Sequence, residues 1–407
     1  MTDIFVTGMG LITAIGKNVD ENFEALCSLR SGIGKIELVN TIHAAHIPAG
    51  EIKLSDSACC ELAGVPENSG YTRTAQLGII AVKEALGHAG IEDIREARTG
   101  LISSTTVGGM REFEVQIDDL MDLSKPSPYI AYAQVSDTGE HTERIADKFD
   151  ITDYISTVST ACSSASNAII FGAELIKNGK LDRVICGGVD VLSMFTINGF
   201  NSLMILDKQP SKPFDANRAG VNLGEGAGYV VLESAEMVKK FGKKALARLS
   251  GYSNSNDAYH QTASSPDGDG ALLSMQRAVD MAGLDKSEID YINCHGTATE
   301  NNDLSEALAI QRLFSDHVPL FSSTKPFTGH TLAAAGAVEA IYTILAIQHD
   351  IIFPNMNFST PMPETNIRPV TEIQRNGKVN HALSNSFGFG GSNTSLLFSK
   401  VNHIHGA

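Results

Sequence analysis

A cysteine lies where a β-branched run gives way to small residues and then to helical spacing. The stretch runs from Val158 to Ile170, and Cys162 follows Ser159-Thr160-Ala161. This pattern predicts a thiol at the first turn of a helix, where unpaired backbone N–H groups and the positive end of the helix dipole favour the thiolate. The thiolate is the nucleophilic form of cysteine, so Cys162 is the leading catalytic candidate. The competing interpretation is a small buried side chain.

Three basic side chains follow predicted strands in the second half of the chain. His295 comes after the strand Asp290 to Cys294, and Lys325 and His330 come after the strand Pro319 to Ser323. In both places a buried strand delivers a reactive side chain through a turn, as it does for the cysteine. Two βαβ-rich halves related by a pseudo-twofold axis would bring these groups face to face. We therefore expect the site between the halves.

The elements that must position these groups divide the chain in two. Residues 1–244 are predicted to form an N-terminal half that carries the nucleophile, and residues 245–407 a C-terminal half that carries the histidines and the lysine. The basic stretch Lys239 to Lys244 is predicted to be a solvated connector between them. Over about residues 110–150 the pattern is irregular and more polar, which is typical of a lid or a dimer contact. The apolar helix Thr331 to Gln348 is expected to belong to the core.

Composition and charge exclude several classes of protein. The chain has 407 residues, with 31 basic and 47 acidic side chains and a formal net charge of −16, which argues against general nucleic-acid binding. No apolar run looks long enough to cross a bilayer. The six cysteines lack metal-ligand spacing, and the N-terminus lacks the basic flank of a signal peptide. A cytoplasmic protein without a metal is expected.

A series of motifs runs in a fixed order over nearly the whole chain. They are Thr160-Ala161-Cys162-Ser163-Ser164, Lys212-Pro213-Phe214-Asp215, Gly224-Glu225-Gly226-Ala227-Gly228, His295-Gly296-Thr297-Ala298-Thr299, Ser323-Thr324-Lys325, Gly329 to Glu339, and Asn385 to Asn393. Jointly they resemble the elongating β-ketoacyl-acyl carrier protein synthases, which are condensing enzymes of the thiolase superfamily. The resemblance implies an α/β, thiolase-like fold: a duplicated five-layer α-β-α-β-α arrangement with two mixed sheets.

The resemblance also implies catalytic roles. Cys162 is the acyl-accepting nucleophile, and His295 and His330 are the pair that marks a decarboxylating condensing enzyme. Lys325 is implied to be a buried lysine near His330, and Glu339 to hold that network in place. The implied reaction joins an acyl-enzyme thioester to malonyl-acyl carrier protein with loss of carbon dioxide. It lengthens the chain by two carbons in fatty acid or polyene and polyketide elongation.

Binding roles follow from the same resemblance. Phe389 matches the mobile aromatic residue that guards the cysteine, and its backbone N–H is expected to join that of Cys162 in an oxyanion hole. Thr297 and Thr299 match hydroxyls that hold the pantetheine arm, and Val107 is assigned to substrate binding. No cofactor is needed, because the substrates are carried on the phosphopantetheine of acyl carrier protein. The expected partners are acyl carrier protein and a second synthase-like chain, in a homodimer or alternatively a heterodimer.

Two departures and two alternatives remain. Glu300-Asn301-Asn302 replaces the proline and glycine common in relatives, which bears on carrier recognition. The lid Tyr129 to His141 is polar, so an unsaturated or aromatic acyl substrate is one hypothesis.

A thiolase-type acyltransferase is an alternative function, although Gly388 to Gly391 lacks the second cysteine of degradative thiolases. A non-catalytic chain-length partner subunit is the other, although such subunits usually lose the nucleophile, which Cys162 supplies here.

Overall fold

The computed structural model describes residues 2–67, 70–122, 124, 135, 137–315, 317–375 and 377–401. The α-helices are α1 Val19–Cys27, α2 Asp56–Ala63, α3 Arg73–His88, α4 Met110–Met121, α5 Glu140–Lys148, α6 Ser164–Lys177, α7 Met194–Ser202, α8 Ala235–Lys240, α9 Asp269–Ala282, α10 Glu300–Phe314, α11 Lys325–Thr328 and α12 Ala335–His349. The strands are β1 Ile4–Thr13, β2 Ile33–Gly34, β3 Ala49–Gly50, β4 Thr99–Ser104, β5 Tyr154–Val158, β6 Arg183–Asp190, β7 Gly226–Ser234, β8 Ala247–Asn256, β9 Tyr291–Asn293, β10 Leu320–Ser322, β11 His381–Phe387 and β12 Ser392–Ser399.

The two halves of the chain build the same arrangement of strands. The first half has the order β1-β7-β6-β4-β5 and the second half β8-β12-β11-β9-β10. In each, the first three strands are antiparallel neighbours and the last two pairings are parallel. Two residue pairs, Phe5 with Arg248 and Val6 with Ala247, join the halves into one ten-stranded ladder. The expected duplicated mixed arrangement is confirmed, with the two expected sheets meeting edge to edge.

Helices cover both faces of this ladder and fill the space between its halves. The helix α3 packs on β1 and β7, and α9 packs on β8 and β12. Between them, α6 and α12 contact each other and the strands of both halves. The layers are therefore α-β-α-β-α, as expected. Since α6 follows the nucleophile turn and α12 follows the lysine and histidine turns, the central layer brings the two turns together.

The segment Leu332–His349 is the most apolar helix-forming stretch of the described chain. Its 18 residues have a mean hydropathy of 1.3, so by length and composition they could cross a bilayer. The expectation that no run is long enough was therefore wrong on that criterion. Because 89% of the segment is buried inside the protein, it serves here as the core helix that the sequence predicted.

Two predicted connecting segments are more ordered than expected. The stretch Lys239 to Lys244 overlaps the end of α8, and Lys243 lies 3.0 Å from the buried carboxylate of Glu233, which also binds Arg183 at 2.8 Å. It is therefore not simply a solvated connector. The excursion at residues 110–150 contains the helices α4 and α5. Of the lid residues, Tyr129, Tyr132 and Gln134 lie outside the described residues.

Candidate active site

The nucleophile turn lies between β5 and α6. Ala161 has a left-handed backbone with φ of 53°, which turns the chain so that Cys162 sits just before the helix. The Cys162 side chain is buried, with a relative exposure of 6%. The backbone N–H groups of Phe389 and of Cys162 itself are directed at its sulfur. The sequence thus predicted the position of this thiol correctly.

The protonation state of the thiol differs from the prediction. Burial raises the pKa of Cys162 to about 11, and this effect outweighs the positive charge of Lys325 and the two backbone N–H groups, which lower it. The expectation that the helix start holds the thiolate was therefore wrong for the resting site. A neutral thiol needs a base to become a nucleophile.

His330 is the group placed to act as that base. Its Nε2 atom lies 3.1 Å from the Sγ atom of Cys162. The preceding Gly329 has φ of 75°, and a Cβ atom there would lie 2.4 Å from the carbonyl oxygen of Leu223. Only glycine fits this contact, which lets the turn deliver His330 against the N-terminal half. The backbone N–H of His330 donates to the Asn222 carbonyl at 2.8 Å.

His295 lies on the loop that follows β9, and a buried carboxylate binds the backbone of this loop. Glu306, on α10, accepts hydrogen bonds from the backbone N–H groups of His295 at 2.9 Å and Gly296 at 2.8 Å. The amide of Asn385 donates to the same carboxylate at 3.1 Å. Sequence reasoning missed Glu306, because an acidic residue inside a mixed helix carries no distinct signal. Burial raises its pKa to about 7.

Lys325 fixes the tautomer of His295. Its Nζ atom lies 3.2 Å from Nδ1 of His295 and also binds the carboxylate of Glu339. A lysine ammonium can only donate, so Nδ1 accepts and the ring proton resides on Nε2. The resemblance implied a lysine near His330; the charge of Lys325 does lower the pKa of His330, and its hydrogen bond goes to His295. Burial raises the pKa of Glu339 to about 7, although the lysine charge opposes this shift.

The two imidazoles are neutral and face the same sulfur. Their ring centroids are 5.3 Å apart with planes at 84°. Burial, followed by the charge of Lys325, holds the pKa of both His295 and His330 well below the ordinary value. Nδ1 of His330 has no hydrogen-bond partner within the described part of the chain, so neither of its tautomers is locked. Neutral rings can donate from Nε2 to a developing negative charge.

The cysteine and the two histidines also form a group with metal-ligand potential. One donor atom from each of Cys162, His295 and His330 lies within 4.8 Å of the others, and among the described residues no other such group occurs. A metal would need a bare Nε2 on His295, however, and Lys325 already donates to its Nδ1. The proton arrangement therefore favours acid-base chemistry over metal ligation here.

A cavity of about 270 Å³ leads from the surface to the sulfur. Predicted site residues that line it are Cys162, His295, His330, Thr297, Thr299 and Phe389. The hydroxyls of Thr297 and Thr299 lie 2.9 Å apart, and the Phe389 ring stacks on Phe200 at 5.8 Å. Val107 is half-buried in the turn before α4 and is not among the described residues that line this cavity.

The chain matches two family models. Residues 1–237 match the N-terminal domain of β-ketoacyl synthases and residues 246–359 the C-terminal domain. A curated relative, 3-oxoacyl-[acyl-carrier-protein] synthase 2 of Staphylococcus aureus, is 33% identical over 411 residues, or 98% of each chain.

Solved structures of the same fold extend these matches. One is titled the ishigamide ketosynthase/chain length factor, with a TM-score of 0.91, 30% identity, and coverage of 98% of this chain and 100% of that one. Another is the ketosynthase ApeO in complex with its chain length factor ApeC from Xenorhabdus doucetiae, with a TM-score of 0.84, 29% identity and coverage of 98% of both chains. With its duplicated thiolase-like fold, this chain belongs to the β-ketoacyl synthase family of condensing enzymes.

Proposed function

We propose that this protein joins an acyl group held on Cys162 to malonyl-acyl carrier protein, with loss of carbon dioxide. The product is a β-ketoacyl-acyl carrier protein two carbons longer. One observation carries the proposal: a buried thiol lies 3.1 Å from one neutral imidazole, and a second imidazole beside it is held with its Nε2 proton available.

The first step transfers the acyl chain to the enzyme. Nε2 of His330 takes the thiol proton, and the Cys162 sulfur attacks the thioester carbonyl of the acyl carrier substrate. The backbone N–H groups of Cys162 and Phe389 stabilise the tetrahedral oxyanion, a contribution of roughly 3–4 kcal/mol per donor in related sites. Collapse of this intermediate breaks the carrier thioester, and the departing thiolate receives the proton from His330.

The second step generates the carbon nucleophile. Malonyl thioester enters the cavity and loses carbon dioxide, and the electron pair of the broken C–C bond forms an enolate. The Nε2–H groups of His295 and His330 donate to the enolate oxygen, which is possible for His330 because no hydrogen bond locks its other tautomer. The enolate carbon attacks the acyl thioester, and Cys162 leaves as a thiolate that takes up one proton.

Two hydroxyl groups that line the cavity support a substrate carried on phosphopantetheine. Thr297 and Thr299 present adjacent hydroxyls along the path to the sulfur, as a hydrogen-bonding pantetheine arm requires. Relatives named as acyl-carrier-protein synthases support the same carrier. No metal or redox cofactor is required by these steps. A cytoplasmic location stays a prediction.

The deciding experiment follows the acyl group. The purified protein is mixed with an acyl-acyl carrier protein, and the mass of the peptide that contains Cys162 is measured. Malonyl-acyl carrier protein is then added, and the product is analysed. We expect an acyl mass on Cys162 and a β-keto product two carbons longer, with neither in Cys162→Ala. A protein that binds the carrier but never becomes acylated would instead be a chain-length partner subunit.

The substrate class stays a prediction, because Tyr129, Tyr132 and Gln134, three of the polar lid residues that motivated it, lie outside the described residues. Turnover of saturated, polyene and aryl acyl-carrier substrates is compared under the same conditions. An unsaturated or aromatic preference is expected. A clear preference for saturated chains would end the hypothesis and leave ordinary fatty acid elongation.

We also propose that the working unit is a dimer, with a homodimer as the first expectation. Strand β5 forms one edge of the ladder, and its Ile155 is 42% exposed. On α4, Val115 and Met121 are each 77% exposed. An edge strand and exposed apolar side chains of this kind support docking of another chain. Light scattering of the purified protein, with Ile155→Lys as the disrupting variant, tests this. A monomer that pairs only with a related subunit would indicate the heterodimer.

A further inference from the structure

A polar cluster joins the two halves beside the nucleophile turn. Its side chains are Thr160, Ser163, Asn167, Asn254 and Ser392. The first three belong to the nucleophile turn and α6, and the other two to strands of the C-terminal half. None of them lines the described cavity, so none contacts the substrate there.

The central contact of this cluster is a hydrogen bond between two serine hydroxyls. Oγ of Ser163 lies 2.9 Å from Oγ of Ser392 and 2.8 Å from the carbonyl oxygen of Thr160. Ser163 is fully buried. Asn167 reinforces the turn by donating to the Thr160 hydroxyl at 2.9 Å, and Asn254 holds the Asn167 amide at 2.7 Å. Among the members of this cluster Ser163 is buried, whereas Thr160, Asn167 and Ser392 are half-buried and Asn254 is exposed. The hydrogen bonds of the buried Ser163 hydroxyl therefore face less competition from water than the outer ones do.

The two serines are neighbours of the two oxyanion donors. Ser163 directly follows Cys162, and Ser392 follows the short turn Phe389–Gly391. The N–H of Gly388 donates to the Ser392 carbonyl at 2.8 Å, which closes that turn. A Cβ atom at Gly388 would lie 3.2 Å from the backbone nitrogen of Cys162. The backbones that carry the two donors therefore meet at this contact.

We propose that the hydrogen bond between Ser163 and Ser392 sets the spacing of the oxyanion hole. Both serines are positioning residues, because they act through the backbone N–H groups of Cys162 and Phe389 and not on the substrate. The inference rests on the proposed acyl transfer to Cys162. Oxyanion donors work only when they are aimed where the charge develops, and a misplacement of about 1 Å can cost roughly 100-fold in rate.

The test compares two reactions of the same sulfur in Ser392→Ala and Ser163→Ala. Acylation of Cys162 by acyl-acyl carrier protein passes through an oxyanion, whereas alkylation by iodoacetamide does not. We expect kcat for acylation to fall about ten-fold with KM unchanged, while the alkylation rate stays at the wild-type value. Ser392→Thr, which keeps the hydroxyl, should restore acylation.

A matched control and a double variant complete the design. Ser399 lies on the same strand as Ser392 and makes a similar hydroxyl contact, 2.6 Å from Ser250, but far from the site. Ser399→Ala should leave both reactions unchanged. The double variant of Ser163 and Ser392 should be no slower than the slower single variant, since either substitution alone already breaks the bond between the two serines.

Three outcomes overturn the inference. They are wild-type acylation rates in both alanine variants, equal losses of acylation and alkylation, and no recovery in Ser392→Thr. If the wild-type protein itself is never acylated, the proposed function fails first, and the two failures are thereby distinguished.

Discussion

Nε2 of His330 lies 3.1 Å from Sγ of Cys162, although the two residues are 168 positions apart in the chain. Both groups are buried and neutral, because burial raises the pKa of the thiol and lowers that of the imidazole. The resting site is therefore an uncharged pair.

The pH dependence of Cys162 alkylation should show that this thiol is an unusually weak acid. Because burial raises the pKa of this thiol to about 11, the rate of labelling by iodoacetamide should keep rising well above pH 9. The thiolate fraction grows with pH until the pKa is passed, so no plateau is expected earlier. The measurement is the mass of the Cys162 peptide against time at each pH. A plateau at the ordinary cysteine value of about 8.5 would contradict it.

Cys162→Ala should abolish acylation and condensation and leave the fold intact. The substitution exchanges one small buried side chain for another, so the free energy of unfolding should change by about 1 kcal/mol or less. Product analysis measures the activity, and denaturant unfolding followed by circular dichroism measures the stability. Retained condensing activity in this variant would refute the assignment of the nucleophile.

The two histidines should differ in which step they support. His295→Ala should slow decarboxylation of malonyl thioester roughly 100- to 10,000-fold and leave acylation of Cys162 nearly unchanged. His330→Ala should slow both, since His330 also receives the thiol proton. Release of labelled carbon dioxide reports the first step, and peptide mass reports the second. Normal elongation by both variants would show that the imidazole roles are wrong.

Glu306 should make the protein less stable as the pH rises. Its pKa is raised to about 7 in the folded protein from an ordinary value of 4.5. Between pH 4.5 and pH 7, folding therefore takes up a proton on the Glu306 carboxylate. The unfolded chain binds fewer protons there, and the free energy of unfolding falls with rising pH. Glu306→Gln should remove this part of the slope. Glu300→Gln, at the start of the same helix, is the control. Equal slopes in wild type and Glu306→Gln would contradict the burial effect.

The turns that carry the reactive groups were predictable, because short stretches of sequence determine their backbone conformation. The small residues around Cys162 and the glycine before His330 make tight turns, and the helix α12 is apolar on all sides and must be buried. The order of the motifs indicated the family and the duplicated fold. Glu306 and Ser392 were not predictable, since single polar residues in a helix or at the start of a strand have no pattern of their own.

The sequence by itself determined which turns carry the reactive groups, because backbone conformation in a turn depends on near neighbours. Only the tertiary structure decided their protonation. The neutral Cys162 thiol arises from burial by both halves, and the Nε2 proton of His295 arises from a lysine 30 positions away. These properties depend on distances and desolvation between distant segments, and no local pattern encodes them.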